Sequence, residues 1–230
     1  SRLAFLMARG EDAKTQVWMI PINGGEAVQI THSKTSIRTF EWHPTKKKIA
    51  YIAQTPKTEK EKKLKDKGYG FIFYEENLKH KNLYILDLAK TGTKAEQLTK
   101  GKTIQSFTFS SDGASIALTA TDKNLVDHSY MFKKIYLLDV KTKKIDLLLD
   151  KTRKLGTLSF SPDNKKLTYA AAFDIKDHAV SQVYVFDIAS KTETNLTEKD
   201  FRGHVAWAKW KDAKTILYYA GEGVWPTLSL

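Results

Sequence analysis

Two short phrases recur along the chain in the same order, and this repetition constrains the fold more than any other feature. The first phrase is a strand, a tight polar turn and a second strand, as at residues 158–169. Asp, Asn and Gly suit such a turn because they tolerate left-handed backbone and bond their own main chain. Each copy is therefore interpreted as a β-hairpin. Aromatic anchors mark the four copies at spacings of 67, 51 and 50 residues: Trp42, Phe109, Phe160 and Trp210.

The second phrase is a nearly continuous apolar strand. Its copies lie at residues 16–22, 82–88, 134–140 and 182–188. Strands with so little polar alternation are typical of sheets that are covered on both faces. A Lys- and Thr-rich turn follows each copy, and a short fourth strand then closes the unit, for example at residues 195–197.

Four strands in each repeat of about 40–50 residues predict an all-β chain with the β-propeller fold. A β-sandwich also contains several short strands, but it does not require the same two phrases in the same order. We expect roughly five four-stranded blades in a single propeller fragment, of which the first and last are incomplete. The predicted units are a partial blade at 1–31, blades at 36–99, 103–150 and 155–197, and a partial blade at 203–230.

Composition narrows the function classes. The chain has no cysteine, which excludes disulfides and thiolate metal sites. Neither the periplasm nor the cytoplasm is excluded, so the compartment stays open. No apolar run approaches the roughly 18 residues of a membrane helix, so we expect no membrane span. The net charge of +12 comes from 38 basic residues, of which only five are Arg. Because base readout relies on bidentate Arg, we interpret the lysines as solvated surface and expect no nucleic-acid partner.

One irregular segment is the Lys- and Glu-rich insertion at residues 55–70, which lengthens the first spacing. Its mixed charge predicts a mobile loop or a short exposed helix. The functional alternative is an entrance or docking element, because long loops in compact folds often carry function.

An acid pair, Glu75 and Glu76, follows an aromatic cluster at Phe71, Phe73 and Tyr74. Adjacent carboxylates offer several acceptors to an ammonium group such as a peptide amino terminus. The alternative is that both are solvated acids that balance the preceding lysines. Glu75 and Glu76 are the candidate substrate-binding residues.

The motifs of several catalytic classes are absent from the sequence. No two glycines lie four residues apart, so the Gly-x-Ser-x-Gly elbow of α/β-hydrolases is missing. His-Glu-x-x-His and phosphate-loop motifs are also missing. Of the six histidines, His43 stands in the Ser position of a turn phrase, and a metal site shared by His128 and His178 has little support. We therefore expect no catalytic residue, no metal and no cofactor.

The repeated phrases resemble the propeller repeats of the prolyl oligopeptidase family of serine peptidases. The resemblance rests on the Phe-Ser-Pro-Asp phrase at residues 160–163, the Val-Tyr-x-x-Asp at 183–187 and the closing Leu-Thr at 196–197. Acylaminoacyl peptidases and bacterial dipeptidyl peptidases are the most similar subgroup, and the similarity covers nearly the whole chain. TolB-type periplasmic propellers contain the same phrases and are the alternative.

This resemblance implies a parent protein in which a seven- or eight-bladed propeller caps a C-terminal α/β-hydrolase domain. The propeller would admit short peptides and exclude folded proteins, and Glu75 and Glu76 would correspond to the pair that anchors a substrate amino terminus in dipeptidyl peptidases. The catalytic Ser, Asp and His have no counterpart in these residues. Under the alternative, the chain is a TolB-like protein-interaction propeller.

Overall fold

The computed structural model describes residues 2–10, 14–71, 75–76, 78–89, 92–197 and 201–230. Within these ranges the chain forms short β-strands and two helices, and consecutive strands lie side by side in five antiparallel sheets. Sheet 1 contains β1 (Arg2–Ala8), β2 (Thr15–Pro21) and β3 (Val28–Gln29). Sheet 2 contains β4 (Ile37–Trp42), β5 (Lys48–Gln54), β6 (Lys81–Asp87) and β7 (Glu96–Gln97).

The remaining strands follow the same plan. Sheet 3 contains β8 (Thr103–Phe109), β9 (Ser115–Thr121), β10 (Lys134–Asp139) and β11 (Ile145–Leu149). Sheet 4 contains β12 (Leu155–Phe160), β13 (Lys166–Ala172), β14 (Ser181–Asp187) and β15 (Thr192–Asn195). Sheet 5 contains β16 (Gly203–Trp210), β17 (Ile216–Glu222) and β18 (Trp225–Ser229). Helices α1 (Glu59–Asp66) and α2 (Val126–Met131) join β5 to β6 and β9 to β10. Each sheet is thus a meander of the kind that forms a propeller blade.

The chain divides into two compact units. Unit 1 comprises Ser1–Thr103 and Lys123–Leu125, and it holds sheets 1 and 2. Unit 2 comprises Ile104–Asp122 and Val126–Leu230, and it holds sheets 3 to 5 apart from the first residue of β8. The aromatic anchors of the turn phrase lie at the same place in four sheets, as the last residue of the first long strand: Trp42, Phe109, Phe160 and Trp210.

The hairpin turns form through side chains of the repeated phrase. Ser161 Oγ donates to Asp163 Oδ1 over 2.6 Å and accepts the Lys166 amide over 2.9 Å. Asn164 then adopts a φ of 60°, a left-handed conformation that Asn tolerates. Hydrogen bonds from Ser161 and from the Lys165 amide lower the pKa of Asp163. The turn therefore keeps its charged acceptor at neutral pH.

In sheet 2, His43 takes the position of this serine and accepts the amides of the turn, as the sequence predicts. Its ring is buried. Nδ1 accepts the amides of Thr45 and Lys46, each over 3.2 Å. The ring proton must then lie on Nε2. His43 is consequently a structural turn residue and has no lone pair to offer a metal at Nδ1.

Tyrosine pairs reinforce two of the sheets. Tyr51 lies opposite Tyr84 across β5 and β6, with ring centroids 5.4 Å apart. Tyr169 lies opposite Tyr184 across β13 and β14, with centroids 6.1 Å apart. Such cross-strand pairs contribute beyond simple area burial because stacked rings interact favourably. The two pairs occupy equivalent positions in sheets 2 and 4, which makes the surroundings of each pair comparable.

Candidate functional site

The insertion at residues 55–70 contains helix α1. Of the two predicted forms, a mobile loop and a short exposed helix, the structure has the helix. Thr58 caps its first turn in a reciprocal capping box with Glu61. Thr58 N donates to Glu61 Oε2 over 2.6 Å, and Glu61 N donates to Thr58 Oγ1 over 3.3 Å. An ion pair with Lys79 ties Glu61 to the segment that enters β6. Hydrogen bonds from Lys79 and Thr58 lower the pKa of Glu61 to about 2.

Loss of the cap should expose the helix to trypsin. No described residue of α1 is buried, so the helix opens locally at low cost and its capping hydrogen bonds matter. We expect Thr58→Ala to raise the rate of tryptic cleavage within residues 57–67 about fivefold, because removing such a cap costs about 1 kcal/mol and cleavage tracks the open population. Mass spectrometry of a timed digest measures this rate.

The matched control is Thr58→Ser, which keeps the hydroxyl and should leave the rate unchanged. Equal rates for Thr58→Ala and wild type would contradict the cap's role. First cleavage inside a blade hairpin would show that α1 is held more firmly than its exposure suggests.

Glu75 and Glu76 lie in a turn after α1, and both are exposed. Glu75 has a φ of 59°, a left-handed conformation that is uncommon for a residue with a side chain. No hydrogen bond or ion pair joins either carboxylate to another residue in the described ranges. Of the aromatic cluster, Phe71 is exposed and meets the ring of Tyr69 edge to face at 6.1 Å. Phe73 and Tyr74 lie outside the described residues.

Two connections of unit 2, each between the second and third strands of its sheet, carry three exposed apolar side chains apiece. We name these six side chains the apolar loops. They are Val126, Tyr130, Phe132, Phe173, Ile175 and Val180. Concentrations of exposed apolar side chains on a soluble protein mark interaction sites. The sequence carried a signal for them, because connections normally contain polar turn residues.

Both connections of the apolar loops contact the segment at residues 154–155, where β12 begins. Lys133, just after α2, donates to the carbonyl of Leu155. Lys154 pairs with Asp177 over 2.7 Å, and the Lys154 carbonyl accepts the amide of Ala172 over 3.0 Å. Burial lowers the pKa of Lys133. Both connections are therefore positioned by residues 154–155 and present their apolar side chains outwards.

Two further histidines make separate contacts. His128 packs on Phe132 with ring centroids 5.1 Å apart, and His204 Nδ1 accepts the amide of Ser181 over 3.2 Å. Across the described ranges, no group of three or more His, Asp or Glu side chains is arranged to hold a metal ion. Within the same ranges, the helices are all too short or too polar to cross a bilayer.

A buried ion pair that sequence reasoning missed lies beside the tyrosine pair of sheet 4. The side chains of Arg153 and Glu193 are 6% and 7% exposed, and Arg153 Nη2 donates to Glu193 Oε1. Tyr169 donates to the same oxygen over 2.6 Å, and Lys151 pairs with Oε2. The guanidinium carbon of Arg153 lies 4.3 Å above the ring centre of Tyr184. One carboxylate is therefore bound by two cations and a phenol.

No protein-family model matches the chain. Over 53 residues it is 40% identical to the uncharacterized protein YidR of Escherichia coli, a match that covers 23% of this chain and 12% of YidR. TolB from Acinetobacter baumannii is similar over 99% of the chain, with a TM-score of 0.58 and 20% identity, and the match takes in 52% of TolB. The acylaminoacyl peptidase of Pyrococcus horikoshii is similar over 99% of the chain, with a TM-score of 0.67 and 13% identity, and the match takes in 35% of that chain.

These similarities confirm the predicted fold class, an all-β propeller portion built from meander sheets. The chain spans about half of TolB and about a third of the peptidase. Propellers of both peptidase and TolB type are among its structural relatives. At identities of 20% and below, the likeness establishes the fold alone.

Proposed function

We propose that the chain is the non-catalytic propeller portion of a serine peptidase, where it controls the access of short peptides to an α/β-hydrolase domain. The observation that carries this proposal is the apolar loops. A propeller that packs on a second domain needs an apolar surface on its connections, because interfaces between domains bury such side chains. Val126 and Ile175 are about two-thirds exposed or more, so the described residues leave them largely uncovered. The likeness to an acylaminoacyl peptidase supports this assignment.

The acid pair supplies the second part of the proposal. Glu75 and Glu76 are exposed on the connection between the second and third strands of sheet 2. The apolar loops are connections of the same kind in sheets 3 and 4. A peptide ammonium donates up to three hydrogen bonds, which two neighbouring carboxylates accept with charge assistance. The acid pair therefore anchors the amino terminus of a peptide.

A reactive-serine probe tests the peptidase assignment. The full-length natural gene product and this 230-residue chain are each incubated with a fluorescent fluorophosphonate and resolved by gel. The expected result is labelling of the full-length product and none of this chain, since acyl transfer needs an activated serine that only a hydrolase domain would supply. Labelling of neither protein would overturn the assignment and favour a TolB-like interaction propeller, which the 20% identity to TolB supports. Labelling of this chain itself would contradict its non-catalytic role.

Neutralising the acid pair should weaken peptide binding. We expect the double variant Glu75→Gln, Glu76→Gln to raise the Kd for short peptides with a free amino terminus about tenfold, because charge-assisted hydrogen bonds are lost. Amino-terminally acetylated peptides should bind the variant and the wild type equally. Fluorescence polarisation with a dye at the peptide carboxyl end measures both.

The matched control is Glu59→Gln, which removes one exposed acid from α1 and should leave both affinities unchanged. An equal loss for free and acetylated peptides would mean that the acid pair does not recognise the amino terminus. The same conclusion would follow if Glu59→Gln had the larger effect.

A further inference from the structure

A cavity of about 530 Å³ lies in unit 1 over the stacked rings of Tyr51 and Tyr84. Lys34 and Lys94 contribute to its walls, as does Ala95 next to Lys94. Among the described residues that line it, none is acidic. Its volume is within the range of small-molecule sites, which are mostly apolar with a few placed polar groups. The cavity therefore combines an aromatic floor with positive charge.

The cavity occupies the place that the buried ion pair fills in sheet 4. Ile37 pairs with Ala53 in sheet 2 as Leu155 pairs with Ala171 in sheet 4. Thr35, two residues before Ile37, therefore corresponds in position to Arg153, two residues before Leu155. Along the outer strands, Gln97 lies opposite Tyr84 as Asn195 lies opposite Tyr184. Ala95, two residues before Gln97, therefore corresponds in position to Glu193, two residues before Asn195. Both members of the ion pair are thus replaced by small side chains, which opens the space.

One polar group of the ion-pair cluster remains in the cavity, the phenol of Tyr51. Tyr51 corresponds to Tyr169, whose hydroxyl donates to Glu193 over 2.6 Å. Tyr51 is only 4% exposed, and within the described ranges its hydroxyl makes no hydrogen bond. Burial, together with the neighbouring Tyr84, raises the pKa of Tyr51 to about 12, so the phenol is a proton donor at neutral pH. Tyr51 lines the cavity, so its hydroxyl can donate to an acceptor bound there.

We propose that this cavity binds a small carboxylic acid, whose carboxylate accepts a hydrogen bond from Tyr51 in the place that Glu193 fills in sheet 4. The apolar part of the ligand lies on the ring of Tyr84, in the same way that Arg153 lies on the ring of Tyr184 in sheet 4. Lys34 and Lys94 balance the ligand charge, as Lys151 and Arg153 balance Glu193. A cationic ligand is disfavoured because the carboxylate that would pair with it is missing at Ala95. This site does not depend on the proposed peptidase function.

Calorimetric titration of the whole chain with benzoate, benzamide and benzylamine tests the proposal. We expect benzoate to bind at least tenfold more tightly than benzamide, and benzylamine to bind least. Tyr51→Phe should weaken benzoate about tenfold and leave benzamide unchanged, since hydrogen bonds to charged groups are the strong ones. Ala95→Glu should abolish benzoate binding by restoring the carboxylate of sheet 4. The control Tyr219→Phe, in sheet 5, should change neither affinity.

Thermal unfolding followed by circular dichroism checks that each variant is folded at the titration temperature. Lys94→Gln serves as a further variant at an exposed position, and it should weaken benzoate several-fold. Equal affinity for benzoate and benzamide would overturn the proposal, as would a preference for benzylamine. Benzoate binding that survives Tyr51→Phe and Ala95→Glu unchanged would place the acid elsewhere and equally overturn it.

Discussion

Glu193→Leu is expected to lower the free energy of unfolding by about 3–5 kcal/mol, the cost of breaking a buried ion pair from one side. The guanidinium of Arg153 is 6% exposed and does not deprotonate, so it would remain charged without a carboxylate. The Tyr169 hydroxyl would lose its acceptor as well. Urea denaturation measures the change in free energy of unfolding. An unaltered m-value would show that the substitution changes stability and not the surface exposed on unfolding.

Two companion variants separate the ion pair from simple packing. Arg153→Met should cost less than Glu193→Leu, because Lys151 and Tyr169 still bind the remaining carboxylate. The double variant Arg153→Met, Glu193→Leu should be more stable than Glu193→Leu alone, since no buried charge is left unpaired. Additive losses in the double variant would contradict this account and would indicate that the two side chains act only by filling space.

Phe186→Ala is expected to lower the free energy of unfolding by about 3–5 kcal/mol. Phe186 is 1% exposed and belongs to the apolar core of unit 2, with Leu167 and Ala117 among its members. Removing the ring forfeits the transfer free energy of the aromatic group and leaves a cavity that the neighbouring strands fill only in part. Thermal and urea unfolding followed by circular dichroism give the value.

The control is Phe132→Ala, the same substitution at a side chain that is 43% exposed on the apolar loops. It should change stability by no more than about 0.5 kcal/mol, as surface substitutions usually do. A loss of stability at Phe132 comparable to that at Phe186 would mean that the apolar loops are part of the core. That result would also weaken the proposal that they contact a second domain.

The sequence was sufficient to predict features whose causes are local. The turn of Ser161 and Asp163 is built by residues within six positions of one another, so its phrase could be recognised and counted. His43 in the serine position was predictable for the same reason. The capping box of α1 also has a local signature, Thr58 followed three residues later by Glu61. That signature alone does not separate a helix from a loop, because the lysines around it carry no apolar periodicity.

Features that depend on partners distant in sequence were not predictable. Arg153 and Glu193 are 40 residues apart and stand in phrases that otherwise repeat without either residue. The cavity of sheet 2 arises because Thr35 and Ala95 are smaller than Arg153 and Glu193, which fill the same place in sheet 4. A small residue in a repeated phrase gives no sequence signal of its own. Only the folded structure places Thr35 and Ala95 around one cavity with Tyr51 and Tyr84.

The outer strands have a consequence for how the molecule behaves in concentrated solution. Sheets 1 and 2 end in β3 and β7, each two residues long, which leaves little free backbone for intermolecular strand pairing. Sheet 5 ends in β18, five residues long, where Trp225 is 73% exposed. Pro226 interrupts the row of amide donors on that strand, a common defence against aggregation. Pro226 therefore restrains edge-to-edge pairing at β18, as the shortness of the outer strand does at β3 and β7.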